Sequence, residues 1–134
     1  MRAQPIHPDF LQQAWPLVVL WLASGLKHSA GEYNVDQLKV LVQQGRQILF
    51  SIFNGDSMVG AGTVAIEDYP NARIGFITSL GGIGVLNDEV FQSLASWARN
   101  NGCTSIRGAV RPSMARLCKK TGFTQPYVIV EHKL

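Results

Sequence analysis

The segment Cys103–Phe123, CTSIRGAVRPSMARLCKKTGF, is compatible with few folds. Ile106–Val110 is a short β-favouring run. Pro112 stops it, and Ser113 is expected to cap the helix that follows. Met114, Leu117 and Cys118 give that helix one apolar side, and Arg116, Lys119 and Lys120 take the other. Gly122 suits the left-handed position past a helix end, and Phe123 is expected to return the chain to the core. A strand, a proline break, a short helix and a Gly-Phe exit therefore follow in that order.

The upstream pattern narrows the choice. Leu11, Trp15, Val18, Val19 and Leu22 recur at helical spacing, which predicts a helix over Phe10–Leu26, capped by Asp9 and kinked or divided at Pro16. Leu38, Leu41 and Val42 predict a second helix over Val35–Gln44, ended by Gly45. The period then changes to two. Ile48–Phe53 and Met58–Ile66 form a hairpin about Asn54-Gly55, with Gly60 and Gly62 marking a bulge or a close backbone approach. Tyr69-Pro70-Asn71 turns the chain into a third strand, Arg73–Leu80. A flexible loop with Gly81, Gly82 and Gly84 leads to a helix over Asn87–Asn101, capped by Asn87, with Val90, Phe91, Leu94, Trp97 and Ala98 inward. Tyr127–His132 is expected as the last strand. The long helical connection makes the third and fourth strands parallel. The expected fold is α/β (α+β): a mixed, mostly antiparallel central sheet flanked by about four helices.

With 134 residues the chain fits one domain, 1–134. Hydrophobic residues at 46% and charged residues at 16% exclude a disordered chain. Five of the twelve basic residues, Arg107, Arg111, Arg116, Lys119 and Lys120, cluster near the C-terminal helix. They read first as a solvated helix face and second as an anion-facing surface. Cys103 and Cys118 are too few for a disulfide scaffold and read as free thiols. The apolar run Ala14–Ala23 is too short to span a bilayer, and Asp9, Gln12 and Gln13 before it do not fit a signal peptide. An intracellular origin is expected, with no membrane partner.

This order of elements is similar to that of the GNAT superfamily, whose members transfer an acetyl group from acetyl-CoA to an amine. The likeness spans nearly the whole chain and is most specific over Gly102–Phe123. Within the superfamily it is nearest to the short GNAT-like proteins of tailed bacteriophages, some of which are internal virion proteins. The residues that carry this are Trp15-Pro16, Gly31-Glu32-Tyr33, Tyr69-Pro70-Asn71, Phe76-Ile77-Thr78 before Gly81-Gly82, and Ala115-Arg116-Leu117 before Gly122-Phe123.

The resemblance implies where cofactor chemistry would lie. A GNAT enzyme holds the CoA diphosphate on backbone N–H groups at a helix start. The loop there reads Gln or Arg, two residues, Gly, one residue, then Gly or Ala. Here the corresponding candidates are Leu80, Gly81, Gly82, Ile83 and Gly84, with Arg111 at the position of an Asn that touches CoA. The leading Gln or Arg and the spacing are missing, so a bare turn is an equal reading. Asp88 and Glu89 in the next helical turn suit the positive end of the helix dipole and oppose a phosphate there. Each such contact costs about 1 kcal/mol at a screened surface. Cys118 stands where the family has a Tyr that protonates the leaving thiolate, and is alternatively an inert thiol. Glu67 or Asp68 is the candidate general base, against the plainer reading of a polar strand end entering a turn. His7, His28 and His132 have no metal-ligand spacing.

Two functions follow. One is a non-catalytic GNAT-fold phage protein with a structural or interaction role in the virion, binding no cofactor and associating with other phage proteins or with itself. The other is a divergent acetyl-CoA-dependent N-acetyltransferase gripping CoA through Arg107, Arg111 and Gly81–Gly84. The first takes precedence, because fold does not carry function and the site residues are what depart. Nucleic-acid binding through the basic helix has no motif behind it.

Overall fold

The computed structural model describes residues 1–134. In chain order the elements are strand β1 (Arg2–Ile6), helix α1 (Leu11–Leu26), helix α2 (Val35–Gln43), strands β2 (Ile48–Asn54), β3 (Ser57–Tyr69) and β4 (Ala72–Gly82), helix α3 (Asp88–Asn100), strand β5 (Ser105–Gly108) and helix α4 (Pro112–Cys118). One sheet holds the strands in the order β1-β2-β3-β4-β5. Its first three pairings are antiparallel, and β4–β5 is parallel. The expected mixed α/β sheet with four helices is therefore present.

Alternation in the strands explains the layers. Leu49 and Ala61 point to one face, where they pack with Leu11, Trp15, Val18 and Leu22 of α1 and Leu38 and Val42 of α2. Phe50, Ile52 and Val64 point to the other, against Val90 and Leu94 of α3. The Phe50 and Trp97 rings meet edge-on at 4.9 Å. Helix α1 lies so close to β4 that side chains are excluded. A Cβ on Gly81 would run into the Trp21 carbonyl, and one on Gly25 into the Ser79 hydroxyl. No helix is long and apolar enough to cross a membrane.

Several boundaries differ from the sequence expectation. Strand β1 was absent from it, because Arg2, Gln4 and Pro5 make a polar, proline-bearing stretch. Such a stretch is tolerated at a sheet edge, and β1 pairs with β2 alone. On the side of β1 away from β2, the Ala3 amide donates to Ser93 Oγ of α3 at 2.8 Å. Asp9 does not cap α1. It lies in a 3-10 turn over Pro8–Phe10, and its amide donates to His7 Nδ1 at 3.1 Å. Pro16 does not divide the helix, which runs through it unbroken from Leu11 to Leu26. It sits on the exposed side, where water can take up the carbonyl that lacks its N–H. The first hairpin turns at Gly55-Asp56, one residue later than Asn54-Gly55, with Gly55 at φ +63°. Gly81 and Gly82 belong to β4, paired with Ala61 and Gly60, and are not a flexible loop. Strand β5 ends at Gly108, short of Val110. Ser113 does not cap α4, which starts at Pro112 with Arg111 in the cap position and no side-chain bond. Helix α4 buries none of its residues. Tyr127–His132 forms no strand.

Candidate functional site

The feature that organises a site in this sheet is the parting of β4 and β5. Their ladder ends at Ile77↔Gly108. Beyond it β4 continues with β3 through Gly82, while the chain after Gly108 turns away into α4. At the same level β4 carries a bulge. Thr63 faces Ser79 and Val64 faces Ile77, so Thr78 is the extra residue.

A buried polar cluster holds this bulge in place, and nothing in the motif reading had marked it. The Thr78 hydroxyl lies 2.7 Å from Thr63 Oγ1 and 2.5 Å from Gln47 Oε1. Ser79 Oγ donates to the Leu22 carbonyl at 2.8 Å. Gln47, Thr63 and Ser79 are buried, and no buried side-chain polar atom is left unpaired. The available signal was polar residues inside an otherwise apolar strand pattern, which require partners.

The candidate cofactor residues fall on both sides of the opening. Leu80 is half-buried against the α3 face, and Gly81 lies under α1. Gly82, at φ +138°, is still in strand, so only Ile83 and Gly84 form a turn. The Ile83 amide donates to the Val59 carbonyl at 3.0 Å. Asn87 caps α3 as expected. Its Oδ1 accepts from the Val90 amide at 3.0 Å, and its Nδ2 donates to the Gly84 carbonyl at 2.7 Å. Asp88 and Glu89 occupy the first turn. Glu89 accepts from the Met1 ammonium at 2.7 Å; that hydrogen bond, then the charge, holds its carboxyl below the usual range. Arg111 is exposed across the opening, at the start of α4.

The proposed chemical groups lie elsewhere. Glu67 and Asp68 are within β3, paired with Ile74 and Arg73. They are at the hairpin end of the sheet, and Glu67 is about 13 Å along the strand from Thr63. Glu67 accepts from the Tyr69 hydroxyl at 3.1 Å, and Asp68 pairs with Arg73 at 3.4 Å. The hydrogen bond to Glu67, reinforced by its charge, raises the Tyr69 phenol pKa above its ordinary value. Cys118 is half-buried on α4, and burial pushes its thiol pKa up. The same hairpin end holds a cavity of about 260 Å³ lined by Tyr69, Asn71, Arg107 and Tyr127 among others.

Similarity to known proteins rests on shape. No protein-family model matches the chain, and no curated protein does. Solved structures match over nearly its full length. A probable acetyltransferase aligns over 100% of this chain and 97% of its own, at 13% identity and a TM-score of 0.70. AAC(6')-Iy, in complex with the bisubstrate analogue CoA-S-monomethyl-acetylneamine, aligns over 98% and 96%, at 13% identity and 0.67. Glucosamine-6-phosphate N-acetyltransferase from Arabidopsis thaliana aligns over 98% and 96%, at 11% identity and 0.63. The chain has the GNAT fold. The parting of β4 and β5 is the break in the sheet of that fold.

The residues present there do not fit acetyl-CoA well. A diphosphate needs unengaged amides and positive potential at a helix start. Of the amides there, those of Ile83 and Val90 are engaged by the protein itself, and two carboxylates stand in the first turn: Asp88, and Glu89 paired with the Met1 ammonium.

Proposed function

We propose that this chain works by association on a GNAT scaffold rather than by acetyl transfer, with a structural or interaction role in a phage particle. The observation that carries this reading is the first turn of α3, where Asp88 and Glu89 set two carboxylates at the helix start beside the Asn87 cap. Two further observations support it. Cys118 holds its proton more tightly than an ordinary thiol, and Glu67 and Asp68 bond to Tyr69 and Arg73 at the hairpin end of β3. Identities of 10–16% to the solved structures speak for architecture and leave chemistry to the residues.

A second reading, a divergent acetyl-CoA-dependent N-acetyltransferase, is favoured by the bulge at Thr78. It breaks the β3–β4 ladder at the mouth of the opening, where a thioester would approach β4.

Titration with acetyl-CoA separates the two. Ligand at a hundred times its dissociation constant would stabilise the fold by about 2.7 kcal/mol. The expected result is an unchanged melting temperature at millimolar acetyl-CoA. A saturating rise would overturn the association reading. Binding that appears only in Asp88→Ser with Glu89→Ser would identify the acidic turn as the block. For the virion role, mass spectrometry of purified particles of a phage that encodes the chain should find it; its absence would remove that placement.

A further inference from the structure

We infer that the cavity at the β3–β4 hairpin end takes a base of single-stranded nucleic acid, and that the basic surface from Arg107 to Lys120 holds the phosphates next to it. Binding of acetyl-CoA does not bear on this, because the cavity and the opening lie at opposite ends of the β4–β5 ladder.

The cavity has the walls a base requires. Its volume of about 260 Å³ is below the roughly 300–1,000 Å³ usual for drug-sized ligands, so it suits one planar group. Tyr69 and Tyr127 give it two aromatic rings, and these are 53 and 59% exposed. Bases stack on such rings whatever their identity, since each has a π-face. Asn71, exposed in the hairpin turn, offers an amide that both donates and accepts towards a base edge. Arg107 donates to the Tyr127 hydroxyl at 3.3 Å, and its guanidinium lies 5.5 Å from the ring centre, which fixes the ring in the wall.

Charge continues from this wall in one direction. Beyond Gly102 stand six of the twelve basic residues but only one of the nine carboxylates, Glu131. None of the six is in an ion pair. Arg111, four residues after Arg107, precedes α4, and Arg116, Lys119 and Lys120 follow along it, all exposed. On the other side Glu67 holds the Tyr69 hydroxyl and Asp68 pairs with Arg73. Phosphates therefore belong on the α4 side, and the base in the cavity. An acidic peptide would use the charges but not the two rings. A duplex keeps its bases in the stack, out of reach of the cavity. A single strand uses both features.

The test uses the full chain. Fluorescence anisotropy of a labelled single-stranded DNA of about fifteen nucleotides should show saturable binding at low salt. Log affinity should fall against log salt with a slope of about −2 to −3.5, the value for three to five phosphate contacts. Tyr127→Ala should weaken binding about tenfold at an unchanged slope, and Tyr127→Phe, which keeps the ring, should bind as the wild type does. Lys119→Gln with Lys120→Gln should flatten the slope by about 1.4. All three positions are exposed, so the circular dichroism spectrum should not change. No binding at low salt would overturn the proposal. So would full affinity in Tyr127→Ala, or competition by polyglutamate or a duplex as strong as that by the single strand, since either would reduce the surface to charge alone. A mononucleotide that binds as tightly as the strand would also overturn it, by leaving α4 no part.

Discussion

Two side chains report their surroundings directly. The Tyr69 phenol donates to Glu67, so removing its proton would set two negative charges together. Its absorbance titration should therefore run above the ordinary phenol value, and Glu67→Gln should bring it back down. Cys118 carries a thiol raised by burial alone. At mildly alkaline pH it should react with a thiol reagent more slowly than a free cysteine, and denaturant should remove the difference. A fast folded-state reaction would show a thiolate that this environment does not stabilise. Neither Glu67, Asp68 nor Cys118 could be assigned from sequence, because a carboxylate before a turn reads the same whether it serves a substrate or a neighbouring tyrosine. Asn87 was legible, since a cap follows from local chain geometry. Its replacement by Ala should cost about 1 kcal/mol, seen as a lower midpoint in urea.

At the scale of elements, the seam between α1 and β4 is the tightest contact in the fold. Gly81→Ala should destabilise by about 1–3 kcal/mol, because the Trp21 carbonyl cannot move without α1. Thermal unfolding measures it, and an unchanged midpoint would contradict the packing described. Thr78→Val should cost a similar amount, about 1–3 kcal/mol, by leaving Gln47 without its donor. Helix positions were read well because Leu11, Trp15, Val18 and Leu22, or Val90, Leu94 and Ala98, repeat with the helical period and are the buried ones. Strand β1 was hidden because an edge strand needs little apolar content. Tyr127–His132 misled for the opposite reason: its composition is that of a strand, but a strand also needs a partner, and composition cannot supply one.

For the whole molecule, the fold could be inferred from element order, while the state of the opening between β4 and β5 depended on bonds between distant segments, such as Ile83 to Val59. Local stability should follow the same division. Amide exchange is expected to be slowest in β2, β3 and β4, which are paired on both sides, and fast in α4, which buries none of its residues. Equal protection across both regions would show that α4 is held by contacts not described above.

The two borders of the sheet are not alike. At β1 the Ala3 amide is already spent on Ser93, and Pro5 has no hydrogen to offer, so that border cannot template further growth. A sheet with one live border can pair once and then has nothing left to recruit. A strand laid on β5 would find no second edge at β1 from which to extend, so edge-to-edge growth into filaments is not expected, even when crowded.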